Sequence, residues 1–196
     1  MRVMLDRFAR AGEASFKGTV LVDGTWDHPN YWVRYSLLRR AVGLHSAHEI
    51  GLVGPYRVEE CSRTFARLGV KRTVRIDLLR GDCDRNRREA LHLLSQTKTP
   101  EDILCWQLPY GFPAAFVYDG ILKRQRSASV NLADPRLVDF VAEALGCLVA
   151  AERVLKDHDF ALLALSHVIN FQYAALAWLA ALQGIPVILI YGEFGV

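Results

Sequence analysis

The 196-residue chain has only four cysteines, far apart and without a C-x-x-C pair. That argues against a zinc ribbon, a thioredoxin-type redox motif or a small disulfide scaffold, and it fits a reducing cytoplasm. No apolar run reaches the roughly 18 residues that a membrane span needs. The nearest, Tyr173 to Tyr191, is cut by Gly184 and Pro186 and reads as a buried helix followed by a buried strand. The first residues carry Arg2, Asp6, Arg7, Arg10, Glu13 and Lys17 with no apolar segment between them, so they do not form a secretory signal. Net charge is only +3, spread along the chain. A nucleic-acid binder would show a dense basic stripe with interleaved aromatics, and none is present. Missing as well are the GxGxxG fingerprint, a Walker loop, a GxSxG elbow and HExxH. Against these absences stand 52% hydrophobic and 23% charged residues, the balance of a globular chain with ample core material.

Strand and helix patterns alternate. Thr19 to Asp23 is a short apolar run closed by Gly24, as in a strand buried on both faces. Tyr31, Tyr35, Leu38 and Val42 follow helical spacing after a cap at Asp27 or Asn30, and Gly43 ends that helix. Glu49 to Val53 reads as a second strand, and Val58, Cys61, Phe65 and Leu68 as one face of a helix that stops at Gly69. Thr73 to Asp77 reads as a third, half-exposed strand, and Asp84 opens a polar helix. Ile103 to Gln107 reads as strand, Phe116 to Leu122 as helix, and Asp134-Pro135 as the start of a long helix. Phe160 to Leu165 is an apolar strand, followed by Ser166-His167, a helix rich in Ala and Leu capped by Asn170, and a last strand from Pro186 to Tyr191. Without a visible linker, the expectation is one α/β domain over 1–196, a Rossmann-like, mostly parallel sheet with helices on both faces.

In such a sheet, ligands bind where strand carboxyl ends meet a switch of strand order. That location nominates Asp23, Gly24 and Thr25, then Ser166 and His167, then Gly192 and Glu193. The stretch Asp23 to Trp32 gathers acids, a histidine, an asparagine and aromatics ahead of a helix N-terminus. Aromatic faces stack on sugars or bases, acids take hydroxyl protons, and the helix end favours an anion. The plainer alternative is that Asp23 and Asp27 satisfy backbone donors while Trp26 and Trp32 pack on the sheet. His167 is placed to act as a general base or to donate to a phosphate, or simply to bond nearby backbone. Asp119 precedes Lys123, Arg124 and Arg126, a cluster able to hold a diphosphate or an anionic sugar, or to be a solvated helix end. Asp82-Cys83-Asp84 spells a metal-binding DxD, but Asp84 is better explained as a helix cap. His45 and His48 lack a third metal ligand nearby.

Three phrases in order, Val22 to Trp32, Tyr118 to Arg126, and Leu165-Ser166-His167 with the Ala-rich helix and Gly184-Ile185-Pro186-Val187, resemble the N-terminal half of bacterial surface or capsular polysaccharide biosynthesis glycosyltransferases of the GT-B type. The resemblance implies an acceptor-side Rossmann-like domain that faces a second, nucleotide-sugar-binding domain across a cleft. The chain would then be the front part of a longer, two-domain protein. It further implies a glycan or lipid-linked acceptor, no nucleic acid and no bound cofactor or metal, in a cytoplasmic protein that can associate with the inner face of the cell membrane. On this resemblance Asp23 or His167 takes the acceptor's hydroxyl proton, and Trp26 and Tyr31 stack on sugar. Lys123 and Arg124 hold a phosphate, with Gly24, Asp27, Asp119, Ser166 and Glu193 as further substrate contacts. Two alternatives remain: a nucleotide- or sugar-phosphate-binding α/β enzyme of other chemistry, and a non-catalytic partner domain.

Overall fold

The computed structural model describes residues 16–25, 29–41, 43–44, 47–169 and 171–190. They gather into two compact units that alternate along the chain. A sheet unit takes the described parts of Met1–Arg75, Asp157–His167 and Gln183–Val196, and a helical unit takes those of Ile76–Lys156 and Val168–Leu182. The sequence reads as one domain because no linker separates the units. The first crossing runs straight from a strand ending at Arg75 into a 3-10 turn at Ile76–Leu79, with no Gly, Pro or Ser between.

The sheet unit holds five strands, all parallel: β1 (Thr19–Asp23), β2 (His48–Val53), β3 (Arg72–Arg75), β4 (Phe160–Leu165) and β5 (Val187–Leu189), in the order β3-β2-β1-β4-β5. This is the α/β, Rossmann-like sheet that the alternation of patterns predicts. β1 lies at the centre of the order, and its Val20, Leu21 and Val22 are wholly buried, as a strand covered on both faces requires. Two crossover helices, α1 (Pro29–Ala41) and α2 (Val58–Arg67), lay Tyr31, Trp32, Tyr35, Cys61 and Phe65 into one core with Val20, Val22, Leu162 and Ala164. Leu21, Leu163 and Leu165 point to the opposite face and are buried too.

Helix α2 illustrates how local sequence sets an element. Cys61 and Phe65, four apart, share its buried face, and Glu59 and Glu60 sit in the first turn, where acids favour the helix dipole. Gly69, at φ 78°, supplies the left-handed residue that ends it. Phe65 in turn explains two glycines. A Cβ on Gly51 would stand 2.6 Å from the Phe65 ring, and one on Gly24 would collide with the same ring and with Leu52 O. Both positions must lack a side chain so that Phe65 can lie on β1 and β2.

The chain moves from β1 outward to β3, crosses the long helical run, and returns on the other side of β1 as β4. The switch of strand order therefore falls between β1 and β4.

The helical unit comprises α3 (Cys83–Ser95), α4 (Ala114–Gln125), α5 (Leu137–Lys156) and α6 (Phe171–Leu182), with α5 packed on α3 and α6. Several sequence expectations change here. Asp82, not Asp84, caps α3, its Oδ1 accepting from the N–H of Asp84 at 2.9 Å and of Arg85 at 3.3 Å. Ile103 to Gln107 is not a strand. Pro100–Cys105 is a 3-10 helix, started by Pro100 and by Asp102 Oδ2 accepting from the N–H of Lys98 and Thr99, each at 2.8 Å. Asp134 does accept the N–H of Arg136 at 2.9 Å, but the regular helix starts only at Leu137. Among the described residues, no helix is long and apolar enough to cross a membrane.

Candidate functional site

The carboxyl ends of β1 and β4 bring Asp23, Ser166 and His167 together. Parallel pairing sets Val22 opposite Ala164, so the residues leaving each strand are neighbours although 143 positions separate Asp23 from Ser166. Asp23 and Ser166 are wholly buried and His167 is 8% exposed.

Every lone-pair direction of the Asp23 carboxylate is used. Oδ1 accepts from the backbone N–H of Thr25 at 2.8 Å and from its hydroxyl at 2.6 Å. Oδ2 accepts from the backbone N–H of Ser166 at 3.0 Å and from its hydroxyl in a very short contact. The Ser166 hydroxyl oxygen lies 2.8 Å from His167 Nδ1. A buried carboxylate is tolerable only with such a set of donors. Asp23 is therefore the knot that ties two strand ends together, and it has no lone pair left with which to take a substrate's proton. That narrows the pair of candidate bases to His167.

Gly24 also spends its backbone internally. Its N–H donates to Leu52 O at 2.7 Å, and its carbonyl accepts from Cys61 Sγ at 2.9 Å. A side chain at Gly24 would collide with the Phe65 ring, so the position is held by packing. Tyr31 is corrected as well. It is 1% exposed, its hydroxyl donates to Ala164 O at 3.3 Å, and its ring meets Trp32 edge-on, so it packs in the core instead of stacking on a sugar. Trp26, Asp27 and Glu193 lie outside the described residues.

The cations expected to hold a phosphate belong to the helical unit and have internal partners. Lys123 Nζ donates to Ile169 O at 2.8 Å. The Arg124 guanidinium pairs with Glu143 and lies over the rings of Phe140 and Phe171, at 5.1 and 5.2 Å from their centroids. Glu143 also pairs with Arg80 at 3.1 Å. Burial by itself would raise the Glu143 carboxyl, but the hydrogen bond and charge of Arg124, then those of Arg80, outweigh it and hold the group below the ordinary glutamate range. Asp119 is exposed on α4.

The Ser166 bridge escapes sequence reasoning because its partner Asp23 is remote in the chain. Strand-end location nominates both residues from the sequence, but the bond between them is set only by the parallel pairing of β1 with β4. Among the described residues, no group of three or more His, Cys, Asp or Glu side chains is placed to hold a metal ion. Compared with protein-family models, with curated proteins and with solved structures, the chain matches none.

Proposed function

We propose that the chain is the acceptor-side domain of a glycosyltransferase of surface or capsular polysaccharide biosynthesis, acting in the cytoplasm on a glycan or lipid-linked acceptor. The observation that carries the reading is the Asp23–Ser166–His167 cluster at the switch between β1 and β4, where parallel sheets bind their ligands. In this mechanism His167 Nε2 takes the proton of the acceptor hydroxyl. The acceptor oxygen forms the new glycosidic bond to the anomeric carbon. The bond from that carbon to the nucleotide diphosphate breaks, and its electron pair leaves on the phosphate oxygen. A second, donor-side domain brings the nucleotide-sugar. Asp23 and Ser166 orient the base without touching the substrate.

A dinucleotide enzyme is the less favoured alternative for a specific reason. Such enzymes cradle a diphosphate with the backbone N–H groups that follow the first strand. Here the Gly24 N–H is bonded to Leu52 O and the Thr25 N–H to Asp23.

The test is ligand binding by the chain, followed by transfer in the complete enzyme. Oligosaccharide acceptors should raise the melting temperature, NAD should not, and His167→Ala should lower transfer by about a hundredfold or more. Stabilisation by NAD alone, or wild-type transfer by His167→Ala, contradicts the proposal.

A further inference from the structure

We infer that Asp23 and Ser166 form a positioning pair that fixes His167 in the tautomer with its proton on Nδ1 and its lone pair on Nε2. The inference follows from counting protons along the chain of contacts. The Asp23 carboxylate accepts from four donors and has none to give. Its short contact with the Ser166 hydroxyl must therefore use the single serine proton. That contact is charge-assisted, which makes it the stronger claim on the proton. The serine oxygen then has only lone pairs to offer His167 Nδ1 at 2.8 Å, so the proton between them belongs to the ring. A neutral imidazole protonated at Nδ1 has its acceptor site at Nε2.

The backbone holds this arrangement in place. Ser166 N–H donates to the same oxygen that its hydroxyl addresses, at 3.0 Å, and Thr25 holds the other oxygen from the loop after β1. The carboxylate is thereby clamped from both strand ends, and the serine hydroxyl has one acceptor within reach that cannot donate back. All members are nine-tenths or more buried apart from Thr25, so water does not compete for the bridging proton.

The assignment deepens the glycosyl-transfer reading, on which it rests only for the source of the proton that Nε2 receives. Its test does not need transfer. Long-range proton–nitrogen correlation spectra of isotope-labelled protein distinguish the two neutral tautomers directly, at a pH high enough for an uncharged ring. The wild-type chain should give the Nδ1–H pattern for His167, identified by its loss in His167→Gln. Ser166→Ala should lose that pattern and move to a mixture of tautomers. An Nε2–H pattern in the wild type overturns the inference, as does an unchanged pattern in Ser166→Ala. If Ser166→Ala does not fold, the wild-type spectrum still decides. An Nδ1–H pattern in a protein that binds no saccharide upholds the inference and refutes the glycosyl reading, so the two fail separately.

Discussion

Ser166 delivers two protons to one atom: its backbone N–H and its hydroxyl both donate to Oδ2 of Asp23. One side chain on β1 thus accounts for how β4 ends, and four donors depend on a single carboxylate.

Replacing Asp23 by alanine leaves the wholly buried Ser166 donors and the partly buried Thr25 donors without their acceptor. Each unmet buried group costs about 1–3 kcal/mol, so the variant should lose about 3 kcal/mol or more in urea denaturation. A loss under about 1 kcal/mol would mean that the knot is not structural.

Gly51→Ala places a Cβ against the Phe65 ring, which should destabilise the chain by about 1–3 kcal/mol through overpacking. Phe65→Leu removes the ring that it meets. The double variant should be less destabilised than the sum of the two, with a coupling of about 1 kcal/mol in a mutant cycle. Simple additivity would show that the glycine is not there for Phe65.

Glu143 sets a pH dependence of known sign. Its folded pKa lies below the ordinary value of 4.5, so its contribution is fully present above that value and fades as pH falls through the lowered pKa. Glu143→Gln should therefore be less stable than wild type at neutral pH, by about 1 kcal/mol given the partial exposure of the pair. The two curves should meet in acid. A gap that widens as the pH falls below the ordinary glutamate value, or that never closes in acid, contradicts the Arg80–Glu143–Arg124 arrangement.

The four cysteines should divide evenly in a thiol-labelling experiment. Cys83 and Cys105 are exposed and should react in the native protein, whereas Cys61 and Cys147 are buried and should react only on unfolding. Burial pushes the Cys147 thiol up to about 12, and Cys61 donates to Gly24 O. Rapid labelling of either buried thiol without denaturant would argue against the core described for its unit.

Much of the sheet is legible in the sequence because its strands announce themselves. Thr19 to Asp23 and Phe160 to Leu165 are short apolar runs, each bounded by a polar residue, and burial on both faces leaves that pattern no other use. The α2 face of Cys61 and Phe65 is equally plain. The failures have physical causes. Ile103 to Gln107 has strand-like composition, but Thr99, Pro100 and Asp102 start a 3-10 turn there, and local capping overrides propensity. Tyr31 is a polar-tipped aromatic beside a candidate crevice, and only the fold reveals that its hydroxyl is satisfied by Ala164 inside the core. Lys123 and Arg124 read as free cations because Ile169 and Glu143, which engage them, are distant in sequence. For the candidate site, strand-end location picked out Asp23, Ser166 and His167. Residue type alone could not have divided the roles of buried knot, bridge and base among them.

The central claim is that a saccharide acceptor binds where β1 and β4 end, beside His167. Its most direct measurement is a backbone-amide NMR titration of the isotope-labelled chain with oligosaccharide acceptors. The account predicts saturable shifts centred on Thr25, Ser166 and His167, lost in His167→Ala while the rest of the spectrum is kept. Saturable shifts that leave those three amides in place, or no shift with any acceptor, would contradict it.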